Sequence, residues 1–209
     1  MFYALKFLLK IKIIMAIQLF KPKYRTEEVL NEIKECLEKG WTGLGFKTTQ
    51  LEHDWKDYTN FPYAHFVSSN TVGLQISLKV LKDVNKWKDN DEIITTPLTF
   101  ISSNHSILYN SLTPIFADID ESLCLDPKSV ESCITKKTKA IMYVGIGGNI
   151  GQYYKIKSIC EKYNLKLILD AAHMAGTKTH KSFRGYGTSL SQIGWDADVT
   201  IFSFQAVKN

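Results

Sequence analysis

Four short stretches of this sequence end or follow apolar runs with side chains able to do chemistry. Ser68, Ser69, Asn70 and Thr71 open the apolar-striped stretch TVGLQISLKVLKDV. If that stretch is a helix, its first free N–H groups and its dipole favour a phosphate there. Pro97–Phe100 closes a second run with an aromatic ring, a flat platform for a ligand ring. Asp170 closes LKLILD, and His173 follows three residues on. A carboxylate at the end of an apolar strand is expected to be partly buried and to need a cationic partner. Ser203 and Lys208 lie in FSFQAVKN, where the lysine offers an amine able to form a Schiff base. Each residue also has a plainer reading. Lys208 alone is a surface lysine, Asp170 and Thr71 are helix caps, Phe100 is core, and His173 is a satisfied buried histidine. His53, His65, His105 and His180 carry no spacing signal.

These groups meet only if the elements before them lie side by side. TEEVLNEIKECLEKG reads as a helix, with Thr26 as N-cap, Gly40 as the stop, and Val29, Leu30, Ile33 and Leu37 on one face. AHFVSSN reads as a short strand and TVGLQISLKVLKDV as a helix. Strand DEIITTP leads to a helix through FISSNHSILYN, and strand TPIFADI to a short helix near Pro127. Strand KAIMYVG leads through a Gly-rich turn to helix QYYKIKSICEKYN. Strands LKLILD and DVTIFSF complete the series. GIGGNIG has the glycines of a nucleotide loop but neither the G-x-G-x-x-G spacing nor a following P-loop lysine. Thr177–Trp195, rich in Gly and Ser, reads as a surface loop.

The strands are continuous apolar runs rather than alternating ones, as expected when both faces are covered. The fold class is therefore α/β, a mostly parallel sheet with helices on both faces. In such a sheet ligands lie beyond the carboxyl ends of the strands, which is where all four stretches fall. A phosphate cradle, a ring platform, a buried acid and an amine together describe a site for pyridoxal phosphate.

Composition excludes several classes. With 209 residues, 44% hydrophobic and 22% charged, the chain is neither disordered nor collagen-like and is long enough to bury a core. Six of its 26 basic residues fall in the first 25 positions with no acid, leaving 20 basic against 21 acidic elsewhere. No basic face is expected, and hence no nucleic acid partner. Cys36, Cys124, Cys133 and Cys160 lack C-x-x-C spacing and read as free thiols in a reducing cytoplasm. Residues 1–19 form an extension whose apolar character is broken by Lys6, Lys10 and Lys12. It reaches neither the length of a membrane span nor the layout of a signal peptide, and a membrane partner is not expected. Three readings of it stand open: a true start at Met15, an appended structural segment, or a basic amphipathic helix on a membrane surface.

From about Phe20 to Asn209 the sequence resembles the DegT/DnrJ/EryC1/StrS sugar aminotransferases, which are fold-type-I pyridoxal-phosphate enzymes. GWTGLGFKTTQLEHDW, VSSNTVGLQISL, DEIITTPLTFISSNHSILYNSLTPIFADID, LILDAAHMAG and FSFQAVKN carry the resemblance, in the family's order. It implies that 20–209 is an incomplete large domain of the pyridoxal-phosphate-dependent transferase type. Lys208 then takes the place of the lysine that holds the cofactor, and Asp170 that of the acid on the pyridine nitrogen. His173 lies near the phenolic oxygen, Phe100 stacks on the ring, and Thr71, the backbone of Val72, and Ser203 contact the phosphate. The implied reaction moves an amino group, commonly from glutamate, to a nucleotide-linked keto sugar, in a homodimer. Relatives that deoxygenate the same sugars carry His where Lys208 stands. Three departures stand out. Asn70 replaces Gly or Ala, and Asn tolerates a left-handed backbone. Gly145 stands where many members have His. The chain also stops one residue after Lys208, without the small C-terminal domain, so a catalytically inactive fragment serving as a binding or oligomerisation module is the alternative.

Overall fold

Five of the apolar runs form one sheet. In the computed structural model, which describes residues 22–40, 43, 45–180 and 190–208, these are β1 (Glu92–Thr95), β2 (Thr113–Phe116), β3 (Thr138–Val144), β4 (Lys166–Ala171) and β7 (Val199–Phe202). Their order is β2-β1-β3-β4-β7, and every pair is parallel. The extension at residues 1–19 lies outside the described residues.

Both faces of the sheet are covered, which is why the runs are apolar without alternation. On one face Ile93, Ala140, Met142 and Ile168 pack under α3 (Asn70–Val84) and α4 (Ser102–Tyr109), with Leu74, Leu78 and Ile107 fully buried. On the other, Ile94, Ile141, Tyr143, Leu167 and Leu169 pack under α5 (Pro127–Ser132) and α6 (Tyr153–Tyr163). Successive strand residues point to opposite faces, so Asp170 shares the α3/α4 side with Ile168. The helix signals read from sequence act locally. Asp126 caps α5 by accepting from the N–H groups of Lys128 and Ser129, and Asn164 ends α6 in a left-handed conformation.

Four expectations need correction. AHFVSSN forms no strand, because among the described residues no strand pairs with it and the Phe66 N–H goes to the Glu52 carboxylate. Thr26 does not cap the first helix, α1 (Thr26–Glu38); Arg25 precedes it, without a side-chain cap bond. A helix that the sequence reading left unassigned, α2 (Phe46–Thr59), starts at Gly45 and ends on left-handed Asn60. Its few apolar residues do not make a sustained stripe, and long-range rings hold it: Trp55 lies 5.1 Å from Phe202 and 5.0 Å from Phe204. Finally, Thr177–Trp195 is not simply a surface loop. It contains an antiparallel pair, β5 (Lys178–His180) with β6 (Leu190–Gln192). Gln192 is buried, donating to the Met174 carbonyl at 2.8 Å and accepting from the Gly176 N–H at 3.1 Å.

Candidate active site

The carboxyl ends of β1, β4 and β7 and the N-termini of α3 and α4 surround one cavity of about 1220 Å³. Thr71, Phe100, Asp170, His173, Ser203 and Lys208 all line it. Residues separated by more than a hundred positions thus line one cavity.

Asp170 is the electrostatic centre. It is 4% exposed. Ser103 donates to Oδ2 at 2.7 Å, and the Ala172 N–H and the Asn70 amide donate to Oδ1 at 3.2 and 3.4 Å. Both helix N-termini also turn their positive ends toward it. Burial nevertheless raises its pKa above the ordinary carboxylate value, because hydrogen bonds replace hydration only in part. Among the described residues no Lys or Arg pairs with it. No described residue supplies the cation expected from sequence.

Lys208 and His173 form the second group. The Gly147 N–H donates to His173 Nδ1 at 3.0 Å, and His173 Nε2 lies 3.2 Å from Lys208 Nζ. Burial, then the nearby Lys208 charge, lower the His173 pKa, with Asp170 opposing. The ring is neutral near pH 7. With Nδ1 already accepting, the proton sits on Nε2 and points at the lysine nitrogen. The Phe100 ring is 69% exposed, with its centroid 5.5 Å from Lys208 Nζ.

The start of α3 supplies anion-binding groups. Ser69 is its N-cap and accepts from the Val72 N–H at 3.2 Å, so Val72's amide is occupied. The N–H groups of Asn70 and Thr71 have no partner among the described residues. Asn70 has no left-handed backbone; it is the first helical residue, and its side chain bridges Asp170 and the Ile201 carbonyl. The departure at Gly145 also has a local cause. A Cβ there would overlap the Met174 sulfur and come within 2.7 Å of its Cγ and Cε, and Met174 is fully buried. Met174 fills the space that a larger residue at 145 would need.

Sequence reasoning missed Ser103, Gly147 and the role of Asn70. The serine in TFISSNHS has no motif of its own; only its place in the first turn of α4, beside β4, gives it meaning.

The residue set fits pyridoxal phosphate on one observation, a buried carboxylate without a cation that faces a cavity also holding an amine. A profile of the DegT/DnrJ/EryC1/StrS aminotransferase family matches residues 23–209. The spore coat polysaccharide biosynthesis protein SpsC of Bacillus subtilis is 36% identical over 184 residues, 88% of this chain and 44% of SpsC. The putative sugar aminotransferase Spr1654 of Streptococcus pneumoniae, in its PMP form, superposes with a TM-score of 0.80 at 30% identity, over 93% of this chain and 50% of that one. Helicobacter pylori PseC, an aminotransferase involved in the biosynthesis of pseudoaminic acid, gives 0.68 at 25% identity, over 78% of this chain and 41% of its own. The chain spans about half the length of the relatives it matches.

Proposed function

Because the chain belongs to the DegT/DnrJ/EryC1/StrS aminotransferase family, we propose that it is the cofactor-binding part of a pyridoxal-phosphate-dependent aminotransferase. Its substrates are an amino donor, glutamate first, and a nucleotide-linked keto sugar. The observation that carries this reading is Asp170, buried and without an ion-pair partner among the described residues, lining the same cavity as the Lys208 amine. The names of Spr1654 and PseC support the sugar class.

Pyridoxal phosphate, when bound, supplies an electron sink for charge developing on a carbon next to an amine. The residues of this chain do the rest. Asp170 holds a proton on the ring nitrogen and gains the cation that its burial lacks. Lys208 would anchor the cofactor, and its amine would serve as the group that holds the moving proton. His173, whose Nε2 lies 3.2 Å from Lys208 Nζ, would position the lysine. The Asn70 and Thr71 N–H groups, with the Thr71 and Ser203 hydroxyls, hold the phosphate, and Phe100 covers the ring face. The unit runs from residue 20 to 209, works in the cytoplasm, and pairs with a second copy. The exposed stripe Val29, Leu30, Ile33 and Leu37 on α1 supports that pairing.

The test is borohydride fixation of pyridoxal phosphate, read by peptide mass. Label confined to the Lys208 peptide, and lost in Lys208→Ala, is the expected result. Label spread evenly over surface lysines overturns the assignment. A folded chain that takes up no cofactor would place it with binding or oligomerisation modules instead.

A further inference from the structure

We propose that Asn70 is a positioning residue for Asp170: its side-chain amide, fixed between the Asp170 carboxylate and the Ile201 carbonyl, holds the acid ionised and in place at the cavity wall, where a protonated ring nitrogen is to meet it. The inference deepens the aminotransferase reading, on which the role toward the ring nitrogen rests.

Asp170 and Ile201 are register partners across β4 and β7. Asn70, the first residue of α3, lies 100 and 131 positions from them in the chain and reaches both. Its Nδ2 stands 3.4 Å from Asp170 Oδ1 and 3.3 Å from the Ile201 oxygen. An amide nitrogen carries two hydrogens, so one donor group serves both acceptors. Its orientation is also fixed. A carboxylate and a carbonyl only accept, and turning the amide over would set oxygen against oxygen. The bridge thus spans one rung of the sheet from above, and Asp170 cannot turn without giving it up.

The other donors to Asp170 act differently. The Ala172 N–H comes with the turn after β4 and is there whatever the side chains are. The Ser103 hydroxyl, 2.7 Å from Oδ2, also lies 2.8 Å from Thr99 Oγ1. A hydroxyl can donate to an ionised acid or accept from a protonated one, so Ser103 suits both forms. The Asn70 nitrogen can only donate, and a donor binds a carboxylate more strongly than a neutral acid. It therefore favours the charged form against the burial that opposes it. The titratable group acting on Asp170 is His173, from the turn after β4, which in turn faces Lys208. Asn70 from α3 and Ser103 from α4 do not titrate. A Gly or Ala at position 70, as in the family pattern, has no side-chain donor to offer. The main-chain N–H of Asn70 is unpaired among the described residues, and a glycine there would keep it.

The experiment uses the full cofactor-free chain labelled with carbon-13 at aspartate Cγ, the Asp170 signal being identified by its loss in Asp170→Asn. In Asn70→Gly the midpoint of the Asp170 carboxyl is expected to rise by about one pH unit, a tenfold gain in proton affinity. The gap in melting temperature between parent and variant should widen as pH rises through the two midpoints, since below them the acid is protonated in both chains. Asn70→Asp, close in shape, replaces the donor by a like charge. It should keep one carboxyl of the pair protonated to a still higher pH, and it carries the test if Asn70→Gly does not fold. In the loaded chain, retention of pyridoxal phosphate by Asn70→Gly should fail on the acid side about one pH unit above the parent. An unmoved Asp170 midpoint in a folded variant overturns the proposal. So does a melting loss equal at every pH, which would leave Asn70 as a tie to Ile201 alone. The carboxyl titration needs no cofactor. Lys208 labelling without a shifted midpoint would fell this proposal alone. A shifted midpoint without labelling would fell the aminotransferase reading and leave the hold of Asn70 on Asp170 standing.

Discussion

Asp170 is held by three donors, and among the described residues no Lys or Arg pairs with it, so its burial as a charge costs the cofactor-free chain stability. Its folded pKa lies above the ordinary 3.8, so between 3.8 and that raised value the folded chain binds more protons than the unfolded one. Stability therefore falls as pH rises through this window and stays lowered above it. Asp170→Asn should raise cofactor-free stability at neutral pH by about 1–3 kcal/mol, with little gain below pH 3.8, and should abolish retention of pyridoxal phosphate. Thermal melts across pH with and without cofactor check both halves; a variant that melts lower at pH 7 would count against the unpaired-charge account. His173 behaves in the opposite sense. Its pKa is lowered from 6.5, so its contribution is present above 6.5 and is lost as pH falls through the lowered value. His173→Ala should slow capture of pyridoxal phosphate by Lys208 by about tenfold or more at neutral pH, measured by borohydride trapping against time.

At the scale of elements, α3 has two faces with different consequences. Leu78 is fully buried between α3 and the sheet, and Leu78→Ala should cost about 2–5 kcal/mol in denaturant unfolding. Val80, two residues on, is half exposed, and Val80→Ala should stay within about 0.5 kcal/mol in this chain. The turn after β3 and the turn after β4 are coupled through Gly145 and Met174. Gly145→Ala forces Met174 out of its buried place and should cost about 1–3 kcal/mol. Combined with Met174→Ala, the loss should be smaller than the sum of the single losses by about 1 kcal/mol or more. An additive cycle would mean that the two turns do not share that space.

At the scale of the whole molecule, the uncovered surfaces say how the chain is used. No residue of α1 is buried, and Leu30, Ile33 and Leu37 stand 50–67% exposed. Lys47 ties α1 to α2 through Glu32 and Glu35, and Lys39 first, then Lys47, holds Glu35 down at a pKa of about 2, but those contacts leave the apolar stripe open. Ile33→Glu with Leu37→Glu should shift the chain from dimer to monomer in sedimentation at micromolar concentration while leaving the melting temperature of the monomer unchanged. If the parent chain is itself monomeric, the stripe serves another contact and the pairing proposal falls.

The sequence by itself determined the five strands of the main sheet, its both-sided burial, and the element ends near which Thr71, Phe100, Asp170, His173, Ser203 and Lys208 stand. Those features are local: apolar runs of strand length, capping residues and a lysine after FSFQAV act over a few positions. It did not determine that AHFVSSN would lack a partner, that α2 would form around Trp55, or that the Gly-rich stretch would hold a β-pair around Gln192. Nor did it reveal Ser103 and Gly147 as the donors that set Asp170 and His173. Each of those depends on what lies opposite in space, and strand pairing, ring stacking and buried hydrogen bonds take their energy from residues distant in the chain. The tertiary structure alone decided them, because only folding puts Asn70 beside Ile201 and Lys208 beside His173.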